Sequence, residues 1–293
     1  MTLIAAFRCI AANDSGVVIC ADSQESYGAY KVTVDKIKPR DAGNYDLVIG
    51  GSGNTAALID GQADYIERLI SAWPSGVGEE QGRESLEDIL IGYHERNIQF
   101  YPANFDDKLL TFLVCARDKT TGAVYLWKTD GTTAATVVDY DLIGWDDPLY
   151  RNEVKRLYQS GINASQATLI GLHLLSIGNA TNTYISDPFQ VISLSKHRVL
   201  TEHPENIKIL EKKVKSFNEM LSNLIVATPD ISIPQERFNK ALQLFQEEVQ
   251  GLRDEAIRHY ALRLNDRFHL FDSVETHAPV AVISEEKDRN ESD

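Results

Sequence analysis

The chain has 293 residues, 43% of them hydrophobic and 25% charged, with a formal net charge of −14. That length holds one large domain, or one domain with an appendage, and the composition is that of an ordinary globular protein. The charge is −6 over residues 201–293 and −8 over the rest, which leaves no basic face for nucleic acid or an anionic membrane, since phosphate binding needs clustered Lys and Arg.

TLIAAFRCIAA and GVVICAD read as two strands joined by the turn formers NDSG, with Gly16 free to take a positive φ. KVTVDKIKP and YDLVIGG read as a second pair. Helical spacing follows, with Ala56, Ile59, Ala63, Ile66 and Ile70 on one stripe. SLEDILIGYHERNIQF is a second helix, capped by Ser85. Strands return in KLLTFLVCARD, AVYLWKTD and TAATVVDYDLIG, then two helices, DPLYRNEVKRLYQSG and SQATLIGLHLLSIGNA, then the strands PFQVISLS and HRVL. Strands and helices in blocks with hairpin links predict an α+β fold of packed antiparallel sheets covered by helices, and argue against a doubly wound parallel sheet.

Beyond residue 203, Ile207, Leu210, Val214, Phe217, Leu221 and Leu224 recur at spacings of three and four, as do Phe238, Leu242, Phe245, Val249, Leu252 and Ala256. Pro229 and Pro234 separate the two runs, which predicts a helical hairpin. Its apolar stripes suit either a cover for the main domain or a seam for another subunit or partner. The expected division is 1–200, a hairpin over 201–275, and a polar disordered tail over 276–293.

Cys9, Cys20 and Cys115 lie in apolar strand-like runs without CxxC spacing, so neither a disulfide framework nor a zinc site is expected, and no metal or cofactor is called for. Asp60 and Asp64, four apart on one helix, read as an exposed polar face. No apolar run reaches the roughly 18–20 residues that cross a bilayer, and no basic n-region marks secretion. A cytoplasmic location is expected.

Thr2 opens the first strand, VVICADSQES ends the second with Asp22, VDKIKP carries Lys36, and LVIGGSGNTAAL places Gly51 just before a helix. In this order and spacing the segments resemble a proteasome β-type subunit, an N-terminal-nucleophile (Ntn) hydrolase. The resemblance covers roughly the first 200 residues and leaves the hairpin outside. It implies a four-layer αββα sandwich, a homo-oligomeric ring and a threonine hydrolase that cleaves peptide bonds. The hairpin would then sit at a ring surface or dock an unfoldase or other partner.

A threonine hydroxyl is a weak nucleophile until something takes its proton. Once Met1 is removed, as a small second residue permits, Thr2 carries its own base in a free α-amino group of pKa about 7.7–8.0. Lys36 would favour the ionised hydroxyl through its charge, Asp22 would hold Lys36, and the Gly51 N–H would donate to the oxyanion. By the same resemblance Glu25, Val34, Lys38 and Ile49 would line the pocket for the residue before the scissile bond. The supporting Ser, Asp and Ser of active relatives are replaced here by Trp145, Asn182 and Ile185. An inactive ring scaffold, or an amidohydrolase of small molecules using the same nucleophile, are therefore the alternatives.

Overall fold

Leu3–Ala11 (β1) and Asp14–Ala21 (β2) form the antiparallel pair that opens the fold. The structure, a computed structural model, describes residues 2–268 except 12–13, 28–29, 54, 101–109, 145–147 and 231, and no side chains at 11, 14, 25–27, 30 or 260–268. The expected tail, 276–293, lies outside the described residues. After β2 come β3 (Gln24–Tyr27), β4 (Tyr30–Thr33), β5 (Ile37–Ala42) and β6 (Tyr45–Ser52), then α1 (Ala56–Ile70) and α2 (Glu79–Asn97). β7 (Thr111–Asp118), β8 (Val124–Asp130), β9 (Thr133–Thr136) and β10 (Tyr140–Gly144) follow, then α3 (Pro148–Leu157) and α4 (Ala164–Thr181). β11 (Gln190–Ser195) and β12 (Val199–Thr201) precede the long helices α5 (Pro204–Ala227) and α6 (Gln235–Phe268).

Two five-stranded antiparallel sheets result, ordered β10-β1-β2-β11-β12 and β5-β6-β7-β8-β9, with β3-β4 as a separate ribbon. Side chains alternate across each strand, and both faces of the central strands are buried, which explains their unbroken apolar runs. Leu3, Ala5, Phe7, Val18 and Cys20 pack with Leu172 and Leu175 of α4. Leu47, Ile49, Phe112 and Val114 pack with Ile66 of α1 and Leu86 and Leu90 of α2. The alternate residues, Ile4, Ala6, Ile19, Val48, Leu113 and Cys115, share a third core that joins the sheets. Each fully buried Leu, Ile or Phe contributes about 1.5–3 kcal/mol. The three cysteines are buried and unbonded to one another, and burial pushes the Cys115 thiol pKa up.

Four local expectations change. Gly16 lies within β2 and does not take a positive φ; the Leu194 carbonyl oxygen stands 2.1 Å from where a Cβ would be. KVTVDKIKP divides into β4 and β5 at a bend around Lys36. The run from Thr133 to Gly144 splits between the two sheets as β9 and β10, a break at Val137–Asp139 that no glycine or proline marks. Helix α2 starts at Glu79, so Ser85 is interior; the N-cap is Gly78, and Glu79 and Glu80 in the first turn complement the helix dipole.

In α5, Ile207, Leu210 and Val214 enter the core beside α4. Further out, Phe217 and Phe245 meet across the helix pair with ring centroids 5.6 Å apart. Near the far end of α6, His259 pairs with Glu202 at 2.9 Å, both buried. Among the described residues no helix is long and apolar enough to cross a membrane.

Burial holds His173 of α4 below its ordinary pKa near 6.5, against the opposing pull of Glu153. The unfolded chain therefore binds a proton at this site more readily than the folded one, and stability falls as pH drops through about 6.5. Urea midpoints at pH 7.5 and 5.5 should differ less in His173→Gln than in wild type.

Candidate active site

Thr2 sits immediately before β1 and is buried, although it is polar. Its neighbourhood is made by the strands on either side. On the β10 side, Leu3 pairs with Gly144. Gly144 has φ +95°, and a Cβ there would lie 2.0 Å from the Thr2 carbonyl oxygen. Only glycine lets β10 close over the start of β1. Gly144→Ala should cost at least about 2 kcal/mol through strain and backbone overlap, read as a lowered urea midpoint.

On the β2 side, Asp22 follows the last strand residue and is wholly buried. Four donors converge on its carboxylate. The Thr2 hydroxyl and the Leu3 N–H reach Oδ1 at 2.9 and 2.8 Å. Lys36 Nζ and the Gln24 N–H reach Oδ2 at 2.7 and 3.2 Å. An ionised carboxylate accepts about four hydrogen bonds, and charge-assisted bonds are the strong kind. The Lys36 side chain is only 9% exposed, so its ammonium depends on Asp22 to offset desolvation. Thr2 and Lys36 thus meet on one carboxylate.

Lys36 itself lies in the bend between β4 and β5, outside either ladder. The Asp22 backbone N–H closes the geometry by donating to the Leu3 carbonyl at 3.3 Å.

Gly51 lies in β6, paired with Phe112, rather than in a turn. A Cβ there would stand 2.5 Å from Ile59 and from Phe112. Packing from behind therefore demands glycine at this position, a constraint separate from any room needed by a substrate. Lys36, Lys38, Ile49 and Gly51 share a recess of about 30 Å³ with Arg40 and Ile59, room for about one water. Val34 is instead tied back, its N–H donating to the Ser23 carbonyl at 2.8 Å. Glu25 pairs with Val32 in the ribbon; its side chain lies outside the described residues. Asp60 and Asp64 are both exposed, as expected, and Asp64 pairs with Arg40 at 2.7 Å.

The α4–β11 loop runs along the residues after Asp22. Its Thr183 carbonyl accepts from the Gln24 side chain at 3.0 Å, and its Ser186 carbonyl from the Ser23 N–H at 3.4 Å. In that loop Asn182 ends α4 and accepts from the Tyr184 N–H at 2.9 Å. Ile185 is buried in the core that holds Leu3. Trp145 lies outside the described residues.

Sequence reading missed Gly144 and also Gln190, whose side chain accepts from the Lys36 N–H at 2.9 Å. Gly144, closing an apolar run, was the readable signal of the two; Gln190 is recognised only once β11 is placed beside β2.

The architecture is the α+β arrangement of antiparallel sheets and helices that the block order of the sequence predicts. Solved structures of Anbu (ancestral beta-subunit) share it. The Anbu of Yersinia bercovieri superposes with a TM-score of 0.60 at 16% identity, covering 79% of this chain and 100% of its own. An Anbu (Gly-1) mutant from Hyphomicrobium sp. strain MC1 gives 0.62 at 14% identity, covering 79% and 98%. The Anbu complex of Pseudomonas aeruginosa, solved as a helical assembly, gives 0.60 at 15% identity, covering 80% and 99%. No protein-family profile matches the sequence, and no curated protein does.

Proposed function

We propose that the chain is a threonine-type Ntn hydrolase of four-layer αββα architecture that cleaves peptide bonds with Thr2. The observation that carries this reading is that one buried carboxylate, Asp22, holds both the Thr2 hydroxyl and the Lys36 ammonium.

The chemistry follows from these groups. Loss of Met1 frees the Thr2 amine, which takes the Oγ1 proton as Oγ1 attacks the substrate carbonyl carbon. The Lys36 charge favours the developing alkoxide, and the Gly51 N–H donates to the oxyanion of the tetrahedral intermediate. Collapse breaks the C–N bond; the departing amine takes the proton from the Thr2 ammonium and leaves an ester on Oγ1. Water, deprotonated by the same amine, then hydrolyses the ester and restores Thr2. Lys38 and Ile49 would flank the side chain before the scissile bond, for which the recess between them, with room for about one water, would have to widen.

A homo-oligomer fits this reading, as the Pseudomonas aeruginosa Anbu structure is itself a helical assembly. A repeated head-to-tail contact closes into a ring or continues as an open helix according to its rotation. The α5–α6 pair would be the surface offered to an unfoldase or other protein partner.

One observation favours a second reading, a scaffold without activity. Ile185 places a buried aliphatic side chain where a supporting hydroxyl is expected, and Asn182 offers no charge. Intact mass before and after treatment with a β-lactone separates the two. The hydrolase predicts a mass lacking Met1 and a stoichiometric adduct. Retained Met1 with no adduct is the scaffold's result, and labelling without turnover of any peptide would point to a small-molecule amidohydrolase.

A further inference from the structure

Lys36 can serve Thr2 only if something fixes the bend that carries it. That bend lies between β4 and β5, so neither ladder holds its backbone. One side chain does. Gln190 Oε1 accepts from the Lys36 N–H at 2.9 Å and from the Ile37 N–H at 3.4 Å, while its Nε2 donates to Asp35 Oδ1 at 2.5 Å. Three consecutive residues are thereby clamped by one amide.

The other end of Gln190 is equally constrained. Gln190 opens β11 and pairs with Ala21, the last residue of β2 and the neighbour of Asp22. The strand that delivers the carboxylate and the bend that delivers the ammonium are thus referred to the same residue. Misplacement by about 1 Å can cost on the order of 100-fold in rate, so such a tie has a measurable consequence.

We propose that Gln190 is a positioning residue that aims Lys36 at the Asp22–Thr2 pair. The proposal rests on the hydrolase reading above for its effect on rate, and on the clamp geometry alone for its effect on structure. The amide is the required group, because it accepts from two N–H donors on one side and donates to a carboxylate on the other. In Gln190→Glu the donor is lost and a second carboxylate faces Asp35. Adding Asp35→Asn restores a donor from the opposite side.

The test compares wild type, Gln190→Glu, the Gln190→Glu/Asp35→Asn double variant and Gln190→Ala as full-length protein. The rate constant for β-lactone acylation of Thr2 is followed against pH, and amide hydrogen exchange is read at Lys36 and Ile37 by NMR. Gln190→Glu should acylate about tenfold more slowly or worse. Its pH midpoint should move upward, because a displaced Lys36 no longer disfavours protonation of the terminal amine. The double variant should recover most of the rate, which a loss of folding would not allow. Gln190→Ala should lose protection at both amides. An unchanged rate and midpoint in Gln190→Glu, or a double variant no faster than the single one, would overturn the positioning role. If wild type itself is not acylated, the hydrolase reading fails on its own, and exchange decides the clamp: protection retained in Gln190→Ala overturns it.

Discussion

Thr2→Ala should abolish covalent labelling and peptide cleavage while the protein remains folded. Alanine also permits removal of Met1, so the variant keeps a free amine and loses only the hydroxyl. Removing a nucleophile of this type leaves little but binding and oxyanion stabilisation, and a fall in rate of at least about 10³-fold is expected. The cost in stability is that of one hydrogen bond to a charged acceptor, about 1.5–3 kcal/mol. Thr2→Ser keeps a hydroxyl at the same place and should still be labelled. A Thr2→Ala protein that cleaves peptides as wild type does would place the chemistry elsewhere.

Asp22→Ala should have the largest effect on stability. It strips Asp22 from an ammonium whose side chain is 9% exposed, and it removes the carboxylate that the Leu3 and Gln24 N–H groups donate to. Breaking a buried pair from one side costs about 3–5 kcal/mol. Urea unfolding measures the loss directly, and a double-mutant cycle isolates the pair. Because Asp22→Ala/Lys36→Met removes both charges together, it should be less destabilised than the sum of the two single variants. Strict additivity would mean that the two groups do not depend on each other.

The elements nearest the candidate site were legible in the sequence because local chemistry determines them. β1 and β2 are apolar runs bounded by polar turn formers, and Asp22 stands where the second run ends. The stripe of α1 showed its period plainly, although Leu58 and Gln62 share the buried face with Ala63, Ile66 and Ile70. What stayed hidden depends on contacts distant in sequence. The glycine at 16 answers to Leu194, and that at 144 to Thr2; no local rule names either partner. The first turns of α2 carry mostly polar residues and no apolar stripe, so the start at Glu79 left no periodic mark. The break between β9 and β10, at Val137–Asp139, carries no glycine or proline, so nothing local separates the two strands. Gln190 holds Lys36 across 154 positions of chain, a relation that exists only after β11 has paired with β2.

The central claim is that nitrogen and hydroxyl of one residue act together, and a peptide epoxyketone tests it most directly. Its ketone is attacked by a hydroxyl and its epoxide is opened by an amine, so a residue presenting both closes a ring on the inhibitor. Peptide mapping of the treated protein should find one adduct, on Thr2, bonded through Oγ1 and the α-nitrogen. Protein that keeps Met1 and takes up no inhibitor would contradict the account.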